Sequence, residues 1–362
     1  MRRPGQYLDI MTNYLIRRLV ESFLVLVLSS GVVFALLYLA PGGPMTEILE
    51  FRRQASRYPI NPDDIERLKK QFDLDLPLWQ AYTRWAFGLP VLADRPNRAG
   101  VIRGDLGLSW RVSQNEPTLN VLVRPLPNTL VLMTTSTLLA LIVAVPVGVY
   151  AAVHQYSRTD YLVTAGTFLG VSMPVFWLGS MLILIFSFQF KQWGLPYLPP
   201  GSAVAARDYV VPLVGTVEAG SWFDRGLRLI MPTITLSLLQ MAAWSRFTRA
   251  SMLEVLRQDY VRTARAKGLH EQLVIAKHAL RNALIPLITI VTLALPGLYG
   301  GAIITETIFN YQGMGLLFID SLTQSDWPVA LAYLMVLSVL TVGANIVADV
   351  VYTLVDPRIR VT

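Results

Sequence analysis

The sequence predicts an all-α integral membrane protein with six transmembrane helices. Three observations carry that expectation. Of 362 residues, 53% are hydrophobic and only 15% are charged, against about 25% charged in soluble domains. The mean hydropathy is +0.47, more apolar surface than one soluble domain of this length has interior to bury. Six stretches without Asp, Glu, Lys or Arg are long enough to span a bilayer: Ser22–Ala40, Thr129–Val153, Tyr161–Phe190, Leu229–Ser245, Asn282–Thr305 and Trp327–Ala348.

The first stretch follows basic residues, as a signal peptide would. It is long for such a segment, and Pro41-Gly-Gly-Pro44 offers no small-x-small cleavage site, so a retained helix is expected. Pro174 falls inside the third stretch and predicts a kink in one span. The fourth is the shortest, at 17 residues. Gly166-x-x-x-Gly170 and Gly297-x-x-x-Gly301 place small residues one turn apart, which permits close helix contact. Pro146, Pro174, Pro232, Pro286 and Pro296 interrupt the backbone ladder, which in a bilayer calls for tight helix packing or a lined cavity.

Orientation follows from the short loops. Setting aside the 88-residue loop 41–128, the loops on the N-terminal side hold 15 Lys and Arg and those on the opposite side hold 4. Long loops cross largely regardless of charge, and the basic side stays in the cytoplasm. Both termini and a loop at 246–281 are therefore expected inside. Three parts result: residues 1–40 as an N-terminal segment with the first helix, 41–128 as an extracytoplasmic insertion, and 129–362 as a core with five further helices. The net charge of +7 reflects this topology and attraction to the membrane lipid surface. No basic run is interleaved with stacking aromatics, so nucleic acid is not an expected partner.

Inside the insertion, Asn61-Pro62-Asp63-Asp64 reads as the start of a helix. Pro77–Phe87 carries Trp79, Tyr82, Trp85 and Phe87, either resting at the membrane interface, where such rings are favoured, or facing an external partner. Residues 191–228 are rich in Pro and Gly and read as an irregular, exposed loop. The last outer loop, Glu306–Asp326, has three acids and no Lys or Arg. Glu306 closes the fifth span, and Gly313 and Gly315 are expected to turn the chain back toward the sixth. The acids are expected to make a negative field at the mouth of a path, or simply to follow from topology.

Catalytic chemistry is missing from the sequence. None of the five lysines follows a glycine, so there is no Gly-Lys-Ser/Thr phosphate loop. His270-Glu271 begins like a zinc-protease helix, but Val274 stands where the second histidine belongs. There is no Gly-x-Ser-x-Gly elbow and no cysteine. No catalytic, cofactor-binding or metal site is assigned. Ion-coupled carriers and channels place charge at mid-membrane depth, whereas Glu21, Glu306 and Asp349 lie near predicted span ends. The energy source is expected on another chain.

That leaves the basic loop between the fourth and fifth spans. Read as one helix over 251–267, it aligns Leu253, Leu256, Tyr260 and Ala264 in an apolar stripe, with Gly268 ending it. Ala264, Ala266 and Gly268 are small, which lets another protein approach the backbone. A second short helix over Glu271–Arg281 leads into the fifth span. The bland alternative is a helix lying on lipid.

Tyr260-Val-Arg-Thr-Ala-Arg-Ala-Lys-Gly268, followed by Lys277-His-Ala-Leu-Arg-Asn-Ala-Leu-Ile-Pro286, resembles the cytoplasmic loop of peptide/nickel-branch ABC-importer permeases. Asn13–Arg18, Phe72–Trp79, Gly104-Asp-Leu-Gly107, Glu306-Thr-Ile-Phe309, Gly313-Met-Gly315 and Asp356–Arg360 resemble that family elsewhere along the chain. Arg262-Thr263-Ala264 stands where the general loop has Glu-Ala-Ala. Tyr311-Gln312-Gly313 replaces the more usual proline before glycine. The resemblance is to the B-type subunit of dipeptide or oligopeptide permeases. It implies a type I ABC importer permease fold, a second homologous permease subunit, two ATP-binding subunits that carry ATP and Mg, and an extracytoplasmic substrate-binding protein. It implies ATPase coupling through Leu256, Tyr260, Arg262, Thr263, Ala264, Ala266 and Gly268, and a gate near Glu306, Gly313 and Gly315. Nickel chelates, glutathione and oligosaccharides remain alternative cargoes.

Overall fold

The computed structural model describes residues 4–39, 63, 66, 69–70, 73–89 and 99–355. The helix start expected at Asn61-Pro62 and the motif Asp356–Arg360 lie outside them. The chain forms two compact units. One takes the described residues of Met1–Leu126 with Leu317–Val342, the other those of Pro127–Leu316 with Gly343–Arg360. Among the described residues, six helical segments are long and apolar enough to cross a membrane: Ile16–Leu39, Thr118–Val153, Val175–Gln192, Trp222–Val255, Glu271–Thr292 and Trp327–Ala348.

The first unit is organised by α1 (Pro4–Leu39) and α2 (Leu78–Phe87). Pro77 precedes α2 and Gly88, at φ 76°, closes it in the left-handed conformation, a position that glycine fills without a Cβ penalty. Of the ring-rich stretch, Tyr82 and Trp85 turn onto α1, with ring centroids 5.7 and 5.3 Å from Phe34. Trp79 is left exposed. The Tyr82 hydroxyl lies 2.8 Å from Ser30 Oγ and donates to the Val27 carbonyl. A 3₁₀ turn (Val101–Arg103) and α3 (Thr118–Val123) follow.

The second unit is built around α7 (Trp222–Val255), which packs against α5 (Arg158–Ser172), α6 (Val175–Leu182) and α9 (residues 271–301). Helix α9 starts at Glu271–Leu273, passes through a π-helical stretch, Val274–Leu280, and continues as Arg281–Gly301. Together with α4 (Leu126–Val153), these helices bury three apolar layers. Leu132, Met133, Met231 and Phe309 form one end. Ala140, Ala144, Trp244 and Leu287 form the middle. Ala152, Met252, Ala279 and Ala283 form the other end. The order of layers shows that α4 and α7 run parallel and α9 antiparallel to them.

Small residues set the spacing. A Cβ on Gly148 of α4 would sit 2.6 Å from the Ser245 carbonyl and 2.7 Å from Thr248 Cβ on α7. Of the glycine pair singled out by spacing, Gly170 faces Ala242 of α7, at 3.3 Å from its would-be Cβ, while Gly166 faces open space. The side chains around Gly297–Gly301 lie outside the described set. Gly148, which no spacing rule singled out, makes the closest of these approaches.

Four expectations are corrected. The fourth span is the 34-residue α7 and not a 17-residue segment, because the charges flanking the apolar run, Arg228 before it and Arg246 and Arg249 after it, are held within the fold. Arg246 lies over the Phe168 ring, 6.0 Å from its centroid. Arg228 bonds Asp224 at 2.6 Å and Arg249 bonds Asp160 at 2.7 Å. The third span does not merely kink. The helix stops at Met173, in extended backbone, and restarts at Val175 with Pro174 as its N-cap, since proline disfavours helical geometry in the residue before it. It then continues through π-helical Ile183–Gln189. The helix expected over 251–267 is two helices, broken at Leu256–Gln258. The loop 191–228 holds a hairpin of β1 (Tyr209–Val211) and β2 (Gly215–Val217), with Tyr209 opposite Val217. Asp224 anchors it, accepting from the Ala205 and Gly220 N–H groups and from the Tyr209 hydroxyl.

Candidate functional site

The loop after α7 folds into a short hook. Gln258, in extended backbone, precedes α8 (Asp259–Ala266), whose first turn holds Asp259 and whose last turn holds Arg265. That is the charge order a helix dipole favours. Gly268 follows at φ 74° with open space around its Cα. It is needed because that conformation is costly for a side-chain-bearing residue, and no close internal contact requires it. The chain then turns into α9, and Arg265 Nη2 reaches Glu271 Oε1 at 2.7 Å across the turn.

Small size and helical periodicity put Ala264 on a face offered to a partner. The structure places it inward. Val261 and Ala264 are buried against Val274, with Val255 beside them. Leu256 is partly buried in the Ala152–Met252 layer. Tyr260, Arg262, Thr263, Ala266 and Gly268 remain exposed. The stripe drawn by periodicity fails because the break at Leu256–Gln258 resets the helical phase. Val261, the most buried residue of α8, was missed for the same reason.

The opposite end of the unit holds a closed turn. Helix α10 (Ile303–Ile308) leads through Asn310, at φ 44°, to α11 (Met314–Thr323). Glu306 is fully buried. Its Oε1 accepts from Thr129 Oγ1 at 2.7 Å, and its Oε2 from the N–H groups of Gly315 and Leu316 at 2.7 and 3.0 Å. Thr129 Oγ1 in turn accepts from the Met314 N–H at 2.7 Å. Three N–H groups at the start of α11, which have no partner within their own helix, are thus satisfied by side chains from α10 and α4. Burial pushes the Glu306 carboxyl above the usual carboxylate range, against the pull of its three donors. Burial, then the Glu306 charge, pushes the Tyr311 hydroxyl up to about 12.

Gly313 and Gly315 matter here, for a reason different from the one expected. Neither has a positive φ; Asn310 does. A Cβ on Gly313 would run into the Glu306 carboxylate, and one on Gly315 would sit 2.7 Å from Ile303 Cα. They are small because α10 presses on them. Gln312, at the position noted as departing from proline, ties the turn to the preceding loop. Its Oε1 accepts from the Ala203 N–H at 2.7 Å and Ser202 Oγ at 3.0 Å, and its carbonyl accepts from Asn128 Nδ2 at 2.6 Å.

The acids of 306–326 are not all turned toward solvent. In the first unit Asp326 is fully buried too. It accepts from Ser109 Oγ and from the N–H groups of Trp110, Arg111 and Val112 at 2.9 to 3.1 Å. Two of the three acids in 306–326 are spent on internal bonds. No spacing rule reveals this, because their partners lie 177 and 217 residues away.

The second unit thus joins membrane-spanning helices to an open hook at one end and a stapled turn at the other. Comparison with known proteins gives the class. The family described as binding-protein-dependent transport system inner membrane component matches residues 144–361, and its N-terminal companion matches residues 11–133. The chain belongs to this family. It is 37% identical to the oligopeptide transport system permease protein AppB of Bacillus subtilis, over 97% of this chain and 100% of that one. It is 35% identical to the dipeptide transport system permease protein DppB of Escherichia coli K12, over 97% of this chain and 99% of that one. A chain of the MetNI methionine ABC transporter, solved in inward-facing conformations, overlays with a TM-score of 0.49 at 17% identity, covering 67% of this chain and 99% of that chain.

Proposed function

We propose that this chain is one of two homologous permease subunits that import peptides, with ATP hydrolysed by two further subunits docked on α8. The observation that carries this is the division of α8. Its buried face is held by Val261, Ala264 and Val274, and its other face offers Tyr260, Arg262, Thr263, Ala266 and Gly268. An exposed face of small and polar residues lets a partner surface approach the backbone.

In this reading the hook is cytoplasmic, as are both termini, in line with the Lys and Arg excess of the short loops on that side. The 306–316 turn lies outside, where an extracytoplasmic binding protein delivers the cargo. The chain itself binds and hydrolyses no ATP. Peptides are favoured over nickel chelates, glutathione or oligosaccharides because the relatives that match over the whole chain carry peptide names.

The test is uptake of a radiolabelled dipeptide and oligopeptide by the reconstituted importer carrying Ala266→Arg. Uptake and co-purification of the ATP-binding subunits should both fall. Retention of both sinks the docking role. The cysteine-free sequence makes Arg257→Cys a clean topology probe, and labelling of it by an impermeant reagent from outside contradicts the orientation.

A further inference from the structure

The α4–α5 turn carries a constellation that the coupling hook does not explain. Arg249 grips Asp160 with both arms of its guanidinium, Nε to Oδ1 at 2.7 Å and Nη2 to Oδ2 at 2.8 Å. Asp160 is 2% exposed. Its carboxylate also accepts from the N–H of Tyr156, which is held at φ 65°, and its own N–H is capped by Ser157 Oγ. One carboxylate therefore closes the turn and bonds α7, beside the serine that caps α5.

Two placements give this pair a mechanical meaning. Arg249 lies in the last two turns of α7, only a short turn before α8. Helix α5 is a 15-residue rod whose far end is cut off from α6 by the break at Met173-Pro174. A rod with a break at one end follows whatever holds the other. Gly148 on Ser245 and Thr248, and Met252 among Ala152 and Ala279, already lock the same end of α7 to α4 and α9. The bidentate pair extends that lock to α5. Planar two-point contact fixes orientation as well as distance, and a carboxylate left alone there is strongly disfavoured.

We propose that Arg249 and Asp160 are positioning residues whose clasp makes the α4–α5 turn and α5 travel with the end of α7 when α8 is moved. This rests on the docking role of α8 given above. The clasp touches neither cargo nor nucleotide. It transmits.

The experiment uses the assembled, reconstituted importer with its binding protein and spin labels on the otherwise cysteine-free chain. One label pair, Thr159→Cys with Arg257→Cys, spans the clasp. A second, Thr263→Cys with Leu213→Cys, follows α8. On ATP binding the second distance should change while the first stays fixed. In Asp160→Asn/Arg249→Gln, which removes both charges and the two-point grip while leaving polar side chains at both positions, the first distance should broaden. Dipeptide transported per ATP hydrolysed should then fall at least about fivefold, the lower end of ordinary coupling energies, with co-purification of the ATP-binding subunits unchanged. Arg249→Lys, which keeps charge but not the two-point grip, should fall between. A first distance that changes with ATP in the native importer overturns the clasp, and so does native yield per ATP in the double variant. Loss of assembly with native yield in the surviving complexes marks a structural staple only and overturns it too. An unchanged second distance brings down the docking role itself, and the clasp with it, so the two failures are read from different label pairs.

Discussion

The two ends of the second unit solve opposite problems with the same materials. At the 306–316 end, a buried carboxylate, a threonine and the starting N–H groups of a helix satisfy one another completely. At the 256–273 end, one exposed ion pair spans the turn and half of α8 is left uncovered. A surface closed on itself holds a state, and a surface left open receives a partner. On the function proposed above, the open end is where force enters and the closed end is where it is resisted.

The sharpest way to break the comparison is steric. Gly313→Val places two methyl groups where the Glu306 carboxylate sits. Overpacking of this kind costs about 1–3 kcal/mol even where neighbours yield, and here the neighbour is a buried charge with three donors. Uptake should be lost, and the purified chain should melt lower. At the hook, Ala266→Arg should lower uptake about tenfold or more, within ordinary coupling energies, while leaving the melting temperature near native, because Ala266 is exposed. The pair of variants separates an end that is folded shut from an end that is docked upon.

A smaller effect is expected for Glu306→Gln. The amide oxygen can keep both backbone donors, but its NH₂ then faces Thr129 Oγ1, whose hydroxyl proton loses its acceptor, and an unsatisfied buried group costs about 1–3 kcal/mol. Uptake should fall roughly tenfold with assembly intact. The loss should be the same at low and high salt, because the carboxylate acts through direct bonds and not through a screened field. Shrinkage of the loss at high salt would revive the field interpretation.

The same two ends should respond oppositely to pH. Arg249 holds the Asp160 carboxyl below its ordinary value of 3.8. Its stabilisation is full above that value and is lost as pH falls through the lower folded one. Burial holds Glu306 above its ordinary 4.5. Its folded form keeps a proton that the unfolded chain releases, so stability from this group is greatest in acid and declines as pH rises from 4.5 through the raised value. Thermal melts across pH should therefore lose their acid limb in Asp160→Asn and flatten just above pH 4.5 in Glu306→Gln. Smallest of all, Arg265→Ala removes an exposed pair worth about 0–1 kcal/mol, and uptake should stay within about twofold.

What the sequence could reveal follows the same division. The open end was legible, because helix ends are local. Gly268 with Lys267 before it announces a C-terminus, and Asp259, the acid in the first turn of α8, marks the new start that splits the hook. Overlooking that start put Ala264 on the wrong face and hid Val261. The closed end was legible only as a set of names. Glu306, Gly313 and Gly315 stood out, but their reason is a contact between segments, and a glycine that is small for a neighbour looks the same as one that is small for a turn. Asp160 carried a readable signal in Ser157-x-x-Asp160, the pattern of a helix cap. Its partner 89 residues on carried none. The six spans were legible because bilayer thickness imposes a length on apolar runs. The extent of α7 was not, because charges that end an apolar run need not end a helix once they are paired.

The central claim is that α8 is the surface through which the ATP-binding subunits act on this chain, and the most direct measurement is position-specific crosslinking in the assembled importer. A photoreactive side chain placed at Thr263, on the exposed face of α8, should form an adduct with an ATP-binding subunit. The same probe at Leu213, beyond β1 in the loop at the other end, should form none. An importer that transports normally, yet gives no adduct from Thr263 and gives one from Leu213, would contradict the account.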